Sequence, residues 1–179
     1  MNTPILIAFG TNMNPEHNLL QGLAALHDAI GIHAISTVYR TRAVAGPDTP
    51  PDLRLPDFLN GALQLQGEQD PWELRDTLKQ IEKKLGRQSG QPGWAPRPLD
   101  LDIALMGTLC LENERLTIPD PDIPWRPFLA RPLAELAPTL RHPVLNQTLH
   151  TIAARFPPTD TEMAPVLPIT VRLQNMLSL

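Results

Sequence analysis

Proline sets the outline of this chain. Of 179 residues, 21 are proline, about twice the roughly 5% of average usage, and they gather at 47 to 56, 92 to 98, 119 to 132 and 157 to 168. Proline fixes φ and donates no backbone hydrogen bond, so it is kept out of central strands and helix interiors. The clusters therefore mark loops. Ile5 to Phe9 reads as a short buried strand ended by Gly10. A helix follows, with Asn14 as its cap, Pro15 at its first position, Leu19, Leu23, Leu26 and Ile30 at helical spacing and Gly31 as its stop. Ile32 to Tyr39 and Leu59 to Gln66 read as strands on either side of a proline-rich loop. Asp70-Pro71-Trp72-Glu73 is a strong helix start, Leu74, Leu78, Ile81 and Leu85 form the buried stripe, and Gly86 ends it. Residues 87 to 98 form a loop that leads straight into a strand at Asp100. There is room for short strands between 107 and 118, Pro127 to Leu136 reads as a short helix, and 157 to 179 as an irregular tail.

The order strand, helix, strand, strand, helix, strand predicts an α+β fold of ferredoxin-like type: an antiparallel sheet with helices packed on one face, flanked by long loops at 42 to 57 and 87 to 98. Residues 1–160 are expected to form a single domain, with 161–179 outside it. Neither a Gly-x-Gly-x-x-Gly fingerprint nor a P-loop occurs, which disfavours a doubly wound nucleotide fold. A net charge of −4 argues against a nucleic-acid partner, and the apolar runs are far short of the roughly 20 residues of a membrane helix. The single cysteine, Cys110, allows no intrachain disulfide. With no basic, apolar leader at the amino terminus, a cytoplasmic location is expected. Cys110 is expected to be buried, and the five histidines show no metal-ligand spacing.

The chemistry gathers in Trp94 to Ile103, which sets two carboxylates, a guanidinium and an indole close together. On a strand Asp100 and Asp102 point the same way, roughly 6 to 7 Å apart at their Cα atoms, while Leu99, Leu101 and Ile103 take the other face. Two like charges side by side raise each other's energy unless a cation lies between them. A divalent ion answers this, since Mg²⁺ takes one or two carboxylates, waters and phosphate oxygens. Asp-Leu-Asp alone reads better as a solvated strand edge; Arg97 and Trp94 beside it shift the balance toward a phosphate site.

Across residues 5 to 150 the chain resembles the 6-hydroxymethyl-7,8-dihydropterin pyrophosphokinase family. The anchors are Phe9-Gly10-Thr11-Asn12, Tyr39-Arg40-Thr41, Pro56-Asp57-Phe58-Leu59-Asn60, Ile81-Glu82, Leu85-Gly86-Arg87, Trp94 to Asp102, Ile118-Pro119 and Pro132-Leu133-Ala134-Glu135. Their order and spacing, not any one motif, carry the likeness. It implies a pyrophosphokinase-like domain that moves diphosphate from ATP to the hydroxymethyl group of the pterin, releasing AMP, in folate biosynthesis. Two Mg²⁺ ions bound with ATP on Asp100 and Asp102 are implied, with Arg97 joining them as a catalytic group. The resemblance assigns ATP to Glu82, Arg87, Trp94, Arg97, Ile103, Arg115, Thr117 and Arg126. It assigns the pterin to Thr41, Val44, Phe58, Asn60, Trp94 and Phe128, the two phenylalanines as stacking rings. A monomer or weak homodimer is expected.

The chain departs from the family at four places. Asp120 stands where a histidine is usual in Ile-Pro-His-Pro, Ser89 where a second loop arginine is usual, Ala43 in place of a proline, and Ala95 in place of a glycine. A carboxylate about 4 Å from a phosphate oxygen is repelled by roughly 4 kcal/mol at an effective dielectric of 20, so Asp120 must turn away, gain a cation or weaken ATP binding. Two other readings stay open on these grounds: a divergent pterin- or nucleotide-binding paralogue with weak catalysis, and a metal-dependent phosphohydrolase on the same carboxylate pair.

Overall fold

The computed structural model describes residues 4–44, 49–50, 52–88, 90–92, 95–157 and 163–178. The chain runs β1 (Ile5–Thr11), α1 (Pro15–Ala29), β2 (Ile32–Ile35), β3 (Tyr39–Thr41), β4 (Phe58–Leu65), α2 (Pro71–Lys84), β5 (Asp100–Met106), β6 (Leu111–Glu112), β7 (Thr117–Ile118), α3 (Pro127–Leu136), α4 (Leu149–Ala153), β8 (Met163–Pro165) and α5 (Leu167–Met176). The main sheet has the order β5-β1-β4-β3-β8, with β2 also paired to β4, and all of its pairs are antiparallel. This is the α+β, ferredoxin-like arrangement, with β6 and β7 as a separate hairpin.

Local chemistry explains the helix starts. Asp70 caps α2 by accepting from the amides of Trp72 and Glu73 at 2.9 and 3.0 Å, with Pro71 in the first turn. Asn14 does not cap α1 with its side chain. It lies in the left-handed region at φ 41, and Asn18 instead donates to the Met13 carbonyl at 2.6 Å.

Helices cover both faces of the sheet, not one. On the first face Ile5, Ile7, Phe9, Leu59, Leu63, Leu101 and Ile103 pack with Leu19, Leu23 and Leu26 of α1, with Leu74, Leu78 and Ile81 of α2, and with Ile169 and Leu173 of α5. On the second, Leu6, Ala8, Ala62, Ala104 and Leu105 meet Ala130 and Leu133 of α3 and Leu149 and Ile152 of α4. The tail expectation is also corrected, because the described part of 161–179 holds β8 and α5. Pro165 ends an edge strand and Pro168 sits in a helix's first turn, two positions where proline is tolerated. Cys110 is exposed, ahead of the β6–β7 hairpin, contrary to the buried position expected. No helix among the described residues is long and apolar enough to cross a membrane.

Candidate active site

The register of the three central strands builds a site on the second face of the sheet. Gly10 lies opposite both Asp100 of β5 and Asn60 of β4, and Ala8 lies opposite both Asp102 and Ala62. Two acids on one side and an amide on the other thus flank the two smallest side chains of β1, which leaves room above the sheet. A Cβ on Gly10 would meet Asn60 Oδ1 at 2.6 Å, so the close approach of that amide depends on glycine. The space is a cavity of about 210 Å³, lined by Thr41 to Val44, Leu55, Phe58, Asn60, Arg97, Asp100, Asp102, and Phe128 and Leu129 of α3. Within it Asn60 Nδ2 donates to Thr41 Oγ1 at 2.7 Å, fixing the amide with its carbonyl free to accept.

At the acidic end the carboxylates are held by three cations. Asp100 is paired with Arg87 through one oxygen and Arg97 through the other. Asp102, 54% exposed, takes Lys79 Nζ at 3.1 Å, and Lys79 also bonds Glu82 at 2.8 Å and the Leu101 carbonyl at 3.2 Å. Burial alone would raise Asp100, but the charges of Arg97 and Arg87 outweigh it and hold its carboxyl below the ordinary range.

Glu82 is the residue whose place was least evident beforehand. On periodicity it flanks the buried stripe of α2, yet it is 2% exposed. Its Oε1 accepts the Leu101 amide at 2.8 Å and its Oε2 meets Arg87 at 2.7 Å. The Leu101 amide lies midway between the two aspartates, so Glu82 fixes the strand that carries them. Oxygens of Glu82, Asp100 and Asp102 lie within 4.8 Å of one another. Hard oxygen donors on adjacent same-face positions suit magnesium, which takes few carboxylates and completes its shell with water and phosphate. Glu82, with both oxygens already engaged inside the protein, is a positioning group behind that pair.

The Phe9-Gly10-Thr11-Asn12 motif pins the loop before β5. Thr11 Oγ1 donates to the Pro98 carbonyl at 2.7 Å, Asn12 N to the Arg97 carbonyl at 3.1 Å, and Arg97 N to Asn12 Oδ1 at 2.7 Å. Arg97 is therefore aimed by two strand-end residues that sequence patterning alone did not mark as functional. Lys79 was missed too; its turn-by-turn spacing from Glu82 (i, i+3) is the signal that could have found it.

Of the residues the resemblance assigned, the cavity collects Thr41, Val44, Phe58, Asn60, Phe128, Arg97, Asp100 and Asp102. Glu82 and Arg87 line an adjacent depression with Lys79, and Arg126, 3.7 Å from Asp122, lines another with Phe128 and Thr41. Ile103 is 4% exposed with its side chain in the core, on the strand face opposite the aspartates. Arg115 is exposed, its carbonyl taken by Arg75. Thr117 lines a different, largely apolar cavity with Trp125 and His142. Neither Arg115 nor Thr117 joins the acidic pair. Trp94 and Ser89 lie outside the described residues. Asp120 turns into its own loop, where Oδ1 accepts the Asp122 amide at 2.8 Å. Burial and the nearby charges of Asp102 and Asp122 raise its carboxyl above the ordinary range.

Comparison with known proteins places the chain in a family. The family model described as 7,8-dihydro-6-hydroxymethylpterin-pyrophosphokinase matches residues 6–138. A 2-amino-4-hydroxy-6-hydroxymethyldihydropteridine pyrophosphokinase of Synechocystis is 39% identical over 147 residues, covering 80% of this chain and 71% of that protein. One of Bacillus subtilis is 34% identical over 139 residues, covering 76% and 79%. Among solved structures, wild-type HPPK-DHPS of Plasmodium falciparum shares the fold, with a TM-score of 0.63 at 13% identity. The alignment takes in 87% of this chain and 43% of that longer one. With the family model covering well over half its length, this chain belongs to the 7,8-dihydro-6-hydroxymethylpterin-pyrophosphokinase family.

Proposed function

We propose that the protein transfers diphosphate from ATP to the hydroxymethyl oxygen of 6-hydroxymethyl-7,8-dihydropterin, giving AMP and the pterin diphosphate. The observation that carries this is one cavity with an aromatic, amide-lined half and an acidic, arginine-flanked half. Phe58 and Phe128 stack on the faces of a pterin, and Asn60 with Thr41 reads its edge. Asp100 and Asp102 hold two Mg²⁺ ions with the nucleotide. When bound, such ions would supply positive charge against the charge that develops in transfer. Arg97 and Arg87, each paired with Asp100, would steady phosphate oxygens beside it, and Arg126 would serve the same anion from the α3 side. The pterin oxygen then attacks the β-phosphorus in line, and AMP leaves. Fixed strands and an aimed guanidinium supply positioning and electrostatic stabilisation, the main sources of rate in phosphoryl transfer. A monomer or weak homodimer working in the cytoplasm, where ATP is abundant, is part of the same proposal.

The test is to incubate the protein with ATP, Mg²⁺ and the reduced pterin alcohol and to resolve the nucleotides. AMP formed only with pterin, in equal amount with pterin diphosphate, is the expected outcome. Phosphate release without pterin would instead mark a hydrolase, and binding of both substrates without turnover a paralogue that has lost catalysis.

A further inference from the structure

Residues 163–178 lie beyond the 6–138 span of the family model, yet they pair with β3, whose end residue Thr41 lines the cavity. β8 pairs with β3 in the register Thr41↔Met163, Arg40↔Ala164 and Tyr39↔Pro165. Without β8, the three-residue β3 would be an exposed edge. Three more bonds tie the same stretch down: Val166 N to the Val38 carbonyl at 2.8 Å, Val38 N to Thr170 Oγ1 at 2.9 Å, and Gln174 Nε2 to the Ile35 carbonyl at 3.0 Å. Ile169 and Leu173 are fully buried in the core against them.

Met163 is the point where this brace meets the site. It is 6% exposed, directly opposite Thr41, and its sulfur lies 3.7 Å from an Arg131 nitrogen on α3. It lines a depression together with Thr41, Arg42 and Val44, at and after the end of β3, and Arg126 and Phe128, at the start of α3. Thr41, Arg42, Val44 and Phe128 line the main cavity as well. Thr41 holds Asn60, and Phe128 is a stacking ring, so the spacing of the walls decides whether a flat heterocycle is gripped.

We propose that Met163, held by the β8–α5 brace, is a positioning residue that sets the width of the pterin half of the site. The inference deepens the functional reading above and rests on it. A thioether on three rotatable bonds suits such a spacer, because it fills the gap without imposing a shape. Shortening it lets the β3 and α3 walls drift, which loosens the grip on the ring while leaving the acidic end, on β5 and α2, unaffected.

The experiment titrates the full-length protein with 6-hydroxymethylpterin, followed by pterin fluorescence, and measures steady-state constants for both substrates. Met163→Ala should weaken pterin binding and raise pterin KM about ten-fold, with kcat and the KM for Mg-ATP within two-fold. Met163→Leu, close in volume, should restore binding to within about three-fold. Thr170→Val, which cuts the brace at its far end, should shift pterin KM in the same direction by a smaller factor. A Met163→Ala protein that melts earlier but binds pterin like the wild type would reduce the brace to a structural part and overturn the proposal. Wild-type protein with no saturable pterin binding would overturn the functional reading, and the inference with it.

Discussion

Replacing Glu82 probes the step from fold to chemistry. Its carboxylate is almost fully buried and makes three bonds, to the Leu101 amide at 2.8 Å, to Lys79 at 2.8 Å and to Arg87 at 2.7 Å. Glu82→Ala strands the Leu101 amide, which costs about 1–3 kcal/mol, and breaks a buried ion pair, for which about 3–5 kcal/mol is typical. The terms overlap. Arg87 keeps Asp100 and the partly exposed Lys79 keeps Asp102, so a net loss of about 3 kcal/mol is expected, at the lower end of that range. In a chain of this length that is a fall in Tm of about 6–12 °C. Activity should fall further than stability suggests. Leu101 sits between the two aspartates proposed to hold magnesium, and a displacement of about 1 Å in such a pair is worth about 100-fold in rate. Glu82→Gln, which keeps an oxygen for the Leu101 amide, should lose about 1 kcal/mol and retain kcat within about ten-fold, a difference of about 1.4 kcal/mol in the barrier. AMP formation at saturating substrates together with thermal melts gives both readings. A Glu82→Ala enzyme with kcat within three-fold of wild type, or a glutamine variant as damaged as alanine, would refute the argument that Glu82 acts through the Leu101 amide.

Three further outcomes follow from single positions. Gly10→Ala puts a methyl 2.6 Å from Asn60 Oδ1, so pterin KM should rise about ten-fold, or about 1.4 kcal/mol, while Mg-ATP KM holds; equal loss for both substrates would mean the sheet itself had shifted. Tyr39, the chain's one tyrosine, is pushed up to about 12 by burial and by its bond to Glu135. The folded state therefore keeps the phenol proton longer than the unfolded state, and its contribution to stability is present below pH 10 and fades as pH rises toward 12. A 295 nm titration should show a midpoint near 12 that falls in Glu135→Gln; a midpoint near 10 in the wild type contradicts the buried pairing. His142 is held below its ordinary range by burial. Above pH 6.5 it is neutral folded or unfolded, and as pH drops the unfolded chain takes the proton first, so stability falls through the folded-state value. The drop in Tm from pH 7 to pH 5 should be smaller in His142→Gln, and an unchanged drop would exclude His142 as its source.

What was legible in the sequence is what local chemistry decides. Asp70 and Pro71 announce α2 because an acid cap and a first-turn proline act within one turn, and the alternation of β5 announces which face carries Asp100 and Asp102. Asn14 misled because the cap depends on a backbone conformation, here left-handed, that composition does not specify. β8 and α5 were hidden for a different reason. Their partners, Val38 to Thr41, lie over 120 residues away, and a segment that gains its order from distant contacts looks like a proline-broken tail. Glu82 shows the same limit at the site, since a buried acid is reasonable only when an amide from β5 and an arginine beyond the helix converge on it. The cavity residues were legible through a family likeness. The cation shell of Lys79 and the Thr11–Asn12 clamp on Arg97 needed the folded chain.

The central claim is that Asp102, with Asp100, holds magnesium for diphosphate transfer. It is tested most directly by Asp102→Ala, assayed for pterin-dependent AMP formation alongside Mn²⁺ binding in the presence of ATP. The account predicts a loss of at least 100-fold in rate, about 2.7 kcal/mol in the barrier, together with weakened Mn²⁺ binding in a protein that still melts cooperatively and still binds pterin. An Asp102→Ala protein that binds Mn²⁺ and forms AMP like the wild type would contradict it.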